Sequence, residues 1–189
     1  NFKDVAPDLK NPDYDPQNLY SVPYMFGILG VIYNTTMVEG APDSWDILFN
    51  EDYSGQILMF NNSRDGMGIA LKYLGYSYNT VDPTEIKAAT DLLIRQKPLV
   101  QSYVMDEVFE KMQSGSAAVC SYYYGDYRTM VDVNPDLAFC VPKEGSNLYV
   151  DAMCIPKSAE NKANAEAFIN FMCSTQAGLK NCEETWYST

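Results

Sequence analysis

Apolar residues follow two rhythms along this chain. Runs rich in β-branched and aromatic residues, "YSVPYMFGILGVIYN", "GQILMFN", "AAVCSYY", "LAFCVP" and "LYVDAMCIP", read as strands, the first as one long glycine-interrupted strand or a pair. Helical spacing lies between them. "VDPTEIKAATDLLIRQK" predicts a helix with Asp82 as N-cap, Pro83 at the first position, Glu85 completing a capping box, and Ile86, Ala89, Thr90 and Leu93 on one face. "MDEVFEKMQSG" predicts a shorter helix capped by Asp106 and stopped by Gly115, and "ENKANAEAFINFMCS" aligns Ala165, Phe168, Ile169 and Met172 in one stripe. Residues 64–75 predict a weaker helix, since Gly66 and Gly68 each cost about 1 kcal/mol relative to Ala. Residues 1–20, with the turn signals of "NPDYDPQN", predict loop.

Strands alternating with helices over short connections imply an α/β fold with a largely parallel sheet, whose ligand sites gather at the carboxyl ends of the strands. Candidate residues are therefore those at strand exits. The glycines of "FGILG" mark a strand that needs close backbone approach, not a phosphate loop.

Charge narrows the partners. With 13 Lys and Arg against 25 Asp and Glu in 189 residues, the net charge of −12 repels nucleic acid and anionic membranes and favours cations. A composition 47% hydrophobic and 20% charged suits one folded core or two small ones. The apolar run from Met25 to Tyr33 is too short to span a bilayer, and no basic-then-apolar leader precedes it. A start at Asn1 without an initiator Met is expected of a piece of something longer. Cys120, Cys140, Cys154, Cys173 and Cys182 are odd in number and spaced for neither zinc nor redox chemistry, so at least one is expected to be free or bonded outside the chain. The first three lie in apolar strand-like runs and read as small buried hydrophobes.

The chain has no histidine, which excludes Ser-His-Asp and Cys-His catalysis and His-based metal sites. It has neither GxxxxGK[ST] nor GxGxxG, so phosphate and dinucleotide cradles are missing, and no cofactor is called for. A carboxylate pair could serve a glycosidase, and Asp65 with Asp151 is the pair to test, but nothing in the sequence fixes their separation.

What remains is a set of acids and rings at strand exits: "NNSRDG", "YYYGDY" and "YVDA". In an extended chain Tyr149 and Asp151 share one face, which sets a ring beside a carboxylate. A carboxylate pairs with an ammonium, and a tyrosine face attracts the cation at about 0.5–2 kcal/mol while covering neighbouring methylenes. Such a pocket suits an aliphatic polyamine. Each element has a plainer explanation. Asp65 fits the first turn of a helix capped by Ser63, Asn62 fits a turn, Arg64 a weak local ion pair, and Tyr122, Tyr123 and Tyr124 fit ordinary strand packing.

Taken together, "YSVPYMFGILGVIYN", "SWDILFNEDYSGQILMFNNSRD", "ALKYLGYSYNTVDPTEIKAA", "PKEGSNLYVDAMCIPKSAENK" and "FINFM" resemble the spermidine/putrescine-binding proteins of bacterial polyamine ABC transporters. The resemblance implies a lobe of the type II periplasmic-binding class, one of two that close like jaws on a polyamine. It assigns residues 1–30 to a lead-in and first hinge strand, 31–142 to an α/β ligand-binding lobe, and 143–189 to a second hinge strand with helices that pack on the other lobe. The family's first half is missing, and the chain stops at "TWYST" before the usual C-terminal helices. The resemblance implies ligand contacts at Asp65, Asn62, Tyr123, Tyr149 and Asp151. Where the family carries acids at the positions of Asn62 and Asp65, only the second is kept, and the family's usual tryptophan corresponds to Tyr123. The implied role is an extracytoplasmic polyamine receptor, in the periplasm or at the cell surface on a lipid anchor, feeding a membrane permease without covalent chemistry. The alternative is a type II binding or sensor module for another cationic or amino-acid-like ligand. A chain of this extent is expected to bind weakly alone and is a candidate for self-association through the apolar surface of the missing lobe.

Overall fold

In the computed structural model, which describes residues 1–188, the expected strands and helices appear in an alternating order. They are β1 (Val22–Asn34), β2 (Ile57–Phe60), α1 (Ser63–Tyr73), α2 (Pro83–Gln96), β3 (Val100–Val104), α3 (Glu107–Gln113), β4 (Val119–Tyr123), α4 (Tyr124–Val131), β5 (Leu137–Cys140), β6 (Leu148–Met153), α5 (Lys162–Met172) and α6 (Thr175–Thr185). The chain divides into two units, Ile28–Asn147 and the remainder, and it passes from one to the other within β1 and again at Asn147–Leu148.

The larger unit is a sheet in the order β3-β2-β4-β1-β5 with helices around it. All four residues of β2 are buried, as are Val119, Cys120, Ser121 and Tyr122 of β4, because both strands sit inside the sheet with both faces covered. Each large apolar side chain buried there contributes roughly 1.5–3 kcal/mol. Trp45, Leu48, Ile69, Val108, Met112 and Met130 close the core from the flanking elements.

Parallel pairing holds through β3-β2-β4, where crossovers run over helices, but β1 is antiparallel to both β4 and β5. The sheet is thus mixed where a largely parallel one was expected. β4 reaches β5 by way of α4 on the far side of β1, so β1 lies between two strands that run against it. One consequence bears on the site: Leu29 pairs with Tyr123, so the start of β1 within this unit lies at the carboxyl end of β4.

Several local expectations are corrected. Asn62, not Ser63, caps α1: its side-chain oxygen accepts from the backbone N–H of Arg64 and Asp65. Asp82 caps α2 through the N–H of Thr84, yet the N–H of Asp82 goes to Thr80 Oγ1 at 3.1 Å, which takes the place expected of Glu85 in the box. Asp106 makes no side-chain cap bond, and Glu107 instead accepts from the N–H of Met105. Three elements were not anticipated: β3, α4 and α6. β3 alternates only weakly because it is an edge strand, with Gln101 and Tyr103 exposed. The tyrosines opening α4 are strand formers that tertiary packing holds in a helix.

The second unit holds the lead-in, the first half of β1, β6, α5 and α6. The lead-in is mostly turns, with short 3-10 segments at Phe2–Asp4 and Pro7–Leu9. Asp15 organises its end, accepting from the N–H groups of Leu19, Tyr20 and Ser21 and from the Ser21 hydroxyl. The stripe on α5 is not a core face, since none of its residues is fully buried and Phe168 is 59% exposed. Among the described residues no helix is long and apolar enough to cross a membrane, and all five cysteines are free. Cys120 is buried and Cys140 partly so, but Cys154 is exposed, because it follows the last residue of β6 and lies outside the sheet.

Candidate functional site

Because β2 and β4 run parallel as neighbours, their carboxyl ends share one edge of the sheet. β2 exits into Asn61 and Asn62 and then α1, while β4 ends at Tyr123. This edge assembles around Asp65, in the first turn of α1, where the helix dipole favours a negative charge.

Asp65 is only 6% exposed. Its Oδ1 accepts from the Tyr78 hydroxyl at 2.6 Å and from Asn147 Nδ2 at 3.4 Å. Its Oδ2 accepts from the Tyr123 hydroxyl at 2.8 Å and from Asn62 Nδ2 at 2.9 Å. Four donors occupy the roughly four lone-pair positions of a carboxylate. All four are neutral, and among the described residues Asp65 has no ion-pair partner.

The sequence delivers each donor by a separate device. Asn62 serves twice, its oxygen capping α1 and its nitrogen on Asp65. Tyr78 follows the turn at Gly75, and its ring lies against Gly68, where an added Cβ would come within 2.6 Å of ring carbon Cε1. A side chain there would displace the ring, which accounts for a glycine inside α1 despite its helix cost. Asn147 is fastened from several sides: its carbonyl accepts from the Leu29 N–H at 3.0 Å, Ser146 donates to the Leu29 carbonyl, and Trp45 Nε1 donates to the Gly145 carbonyl at 3.0 Å.

Burial pushes the Tyr78 phenol well above the ordinary tyrosine range, and its hydrogen bond to Asp65 adds to the shift. Tyr78 therefore remains a neutral donor. The guanidinium of Arg64 lies 5.8 Å from the Tyr78 ring centre and donates to Asn79 Oδ1 at 2.9 Å. Phe60 packs against both Tyr122 and Tyr123, with ring centres 5.1 Å apart in each case, so Tyr123 enters the site from an aromatic base. Beside the cluster an open groove of about 470 Å³ is lined by Met59, Phe60, Asn62, Met67, Leu93 and Tyr103.

Of the residues singled out from sequence, Asn62, Asp65 and Tyr123 meet in this one cluster. Tyr149 and Asp151 lie together on β6, in the other unit, with Tyr149 partly buried and Asp151 exposed. The Tyr149 ring rests on Gly27, the close approach expected of "FGILG". Sequence reasoning missed Tyr78 and Asn147. Neither carries a periodic signal; the adjoining glycine at 68 is the feature that could have pointed to the first. Among the described residues no group of three or more His, Cys, Asp or Glu is arranged to hold a metal.

A family model described as bacterial extracellular solute-binding protein matches residues 1–187. The chain is 31% identical to the spermidine/putrescine-binding periplasmic protein of Escherichia coli K12 over 190 residues, covering all of this chain and 55% of that protein. Among solved structures it matches the spermidine/putrescine ABC transporter substrate-binding protein PotD of Streptococcus pneumoniae, with a TM-score of 0.85 and 38% identity over 100% of this chain and 58% of that one. The TpPotD lipoprotein of Treponema pallidum matches with a TM-score of 0.85 and 30% identity, over 92% and 56% of the two chains. The chain thus spans about half the length of these relatives.

Proposed function

The chain belongs to the bacterial extracellular solute-binding proteins, and from that premise we propose that it is part of an extracytoplasmic receptor that captures putrescine or spermidine for an ABC permease. The observation that carries this reading is Asp65: a buried carboxylate surrounded by neutral donors and without a countercharge among the described residues. An ammonium group supplies that countercharge, and a charge-assisted bond of this kind contributes about 1.5–3 kcal/mol. Asn147, at 3.4 Å the most distant donor, is the one an incoming amine replaces with least loss. The phenol rings around the site cover methylenes and attract the cation.

In this reading Asp151 holds a second amine and Tyr149 flanks the carbon chain, with β1 and β6 as hinge strands. No covalent step is involved. The relatives named for polyamines support the substrate class. An amino-acid-like ligand is disfavoured, because its carboxylate would need a nearby cation and the guanidinium of Arg64 is engaged with Asn79 and Tyr78.

Calorimetric titration of putrescine and spermidine into the full-length protein and into its Asp65→Asn and Asp151→Ala variants tests the reading. Binding is expected in the parent and at least tenfold weaker in each variant. Undiminished binding in the variants defeats the site, and a larger thermal shift with an amino acid than with either polyamine defeats the substrate class.

A further inference from the structure

Arg64 is the cation nearest to Asp65 in sequence, one residue away at the first turn of α1, yet the two make no ion pair. Its guanidinium is turned to Asn79 and to the face of Tyr78. The same Tyr78 donates its hydroxyl to Asp65 at 2.6 Å. We propose that Tyr78 is a positioning residue that keeps the Asp65 carboxylate available to a ligand cation, its uncharged hydroxyl holding Oδ1 while its face retains Arg64.

The proposal rests on the polyamine reading for its ligand. An internal guanidinium on Asp65 would satisfy the carboxylate bidentately and compete with any amine. Tyr78 removes that competitor without introducing a charge of its own, because its phenol stays protonated. The ring is placed for this by Gly68, whose missing side chain leaves room for it on α1. A residue that merely covered the helix could be a leucine, which would offer neither the donor nor the face.

Three substitutions in the full-length protein separate these roles, with putrescine as the probe. Tyr78→Phe keeps the ring and loses the donor; putrescine binding is expected to weaken about tenfold as the carboxylate loses its fixed orientation, with the thermal midpoint lowered by about 3–6 °C and the protein still folded. Tyr78→Leu also removes the aromatic face from Arg64 and leaves it held by Asn79 alone, and a larger loss is expected. Adding Arg64→Gln should then recover more affinity in the Tyr78→Leu background than it adds in the parent. Equal gains in the two backgrounds overturn the proposal.

If the parent binds neither putrescine nor spermidine, the polyamine reading fails, and the Arg64 Nε–H resonance in an amide-type NMR spectrum judges the present one alone. The resonance is expected to move in Tyr78→Leu and to stay in place in Tyr78→Phe. An Arg64 signal unmoved in Tyr78→Leu overturns the proposal whatever the ligand.

Discussion

The ring of Tyr149 lies on the bare Cα of Gly27, so close that a Cβ there would stand 2.8 Å from ring carbon Cζ and 3.1 Å from Cδ1 of Tyr187. Two strands, β1 and β6, are thereby brought together by an absence of side chain. Gly27→Ala is expected to destabilise the protein by about 1–3 kcal/mol, the usual cost of overpacking, because a strand backbone and two rings cannot all yield. Tyr149→Ala should relieve much of that loss in the double variant. Chemical denaturation of the four proteins checks the coupling; additive losses would show that the ring is not the obstacle.

Asn62 both caps α1 with its side-chain oxygen and donates its amide to Asp65. Asn62→Asp keeps a good N-cap for α1 but replaces the amide donor on Asp65 Oδ2 by a second carboxylate. The unliganded protein is expected to lose about 1–3 kcal/mol of stability at neutral pH, and putrescine should raise its thermal midpoint by more than it raises the parent's. Differential scanning with and without putrescine measures both.

Acid should loosen the lead-in first. Burial alone would raise the Asp15 carboxyl, but donors from Tyr20, Ser21 and Leu19 outweigh it and hold it below the ordinary aspartate value of 3.8. A group lowered on folding stabilises above its unfolded value, near pH 4, and loses that contribution as pH falls through its folded value. Amide exchange at Leu19, Tyr20 and Ser21 should therefore quicken below about pH 4, and Asp15→Asn should show the quickened exchange at neutral pH.

Thiol labelling should discriminate the cysteines. Cys154 is exposed, whereas burial pushes the Cys140 thiol up to about 11 and raises Cys120, which lies wholly in the core, further still. Maleimide is expected to modify Cys154 rapidly and Cys120 only on unfolding, as followed by peptide mass analysis. Early labelling of Cys120 would mean that the core around β4 opens.

The fold class was legible because burial imposes periodicity. β1, β2, β4, α2 and the capping role of Asp82 all follow from apolar spacing and local turn chemistry, which require no knowledge of neighbours. β3, α4 and α6 were not legible: an edge strand has only one face to pattern, and helices opening on tyrosines or carrying few apolar residues depend on what packs against them. The direction of β1 was likewise beyond reach, since an antiparallel neighbour and a parallel one ask for the same side chains.

The candidate site divides along the same line. Acids and rings at strand exits could be read from composition and order, so Asp65 and Tyr123 stood out. That Asp65 is met by Tyr78 and Asn147, 13 and 82 residues away, depends on a turn after α1 and a segment fastened to Leu29, contacts made only once the chain has closed. Sequence alone determined which chemistry the chain can offer a cation; the tertiary structure decided which donors hold the carboxylate and which cation is kept from it. Hydrogen bonds act over about 3 Å in space, and nothing in the linear order of residues encodes that distance.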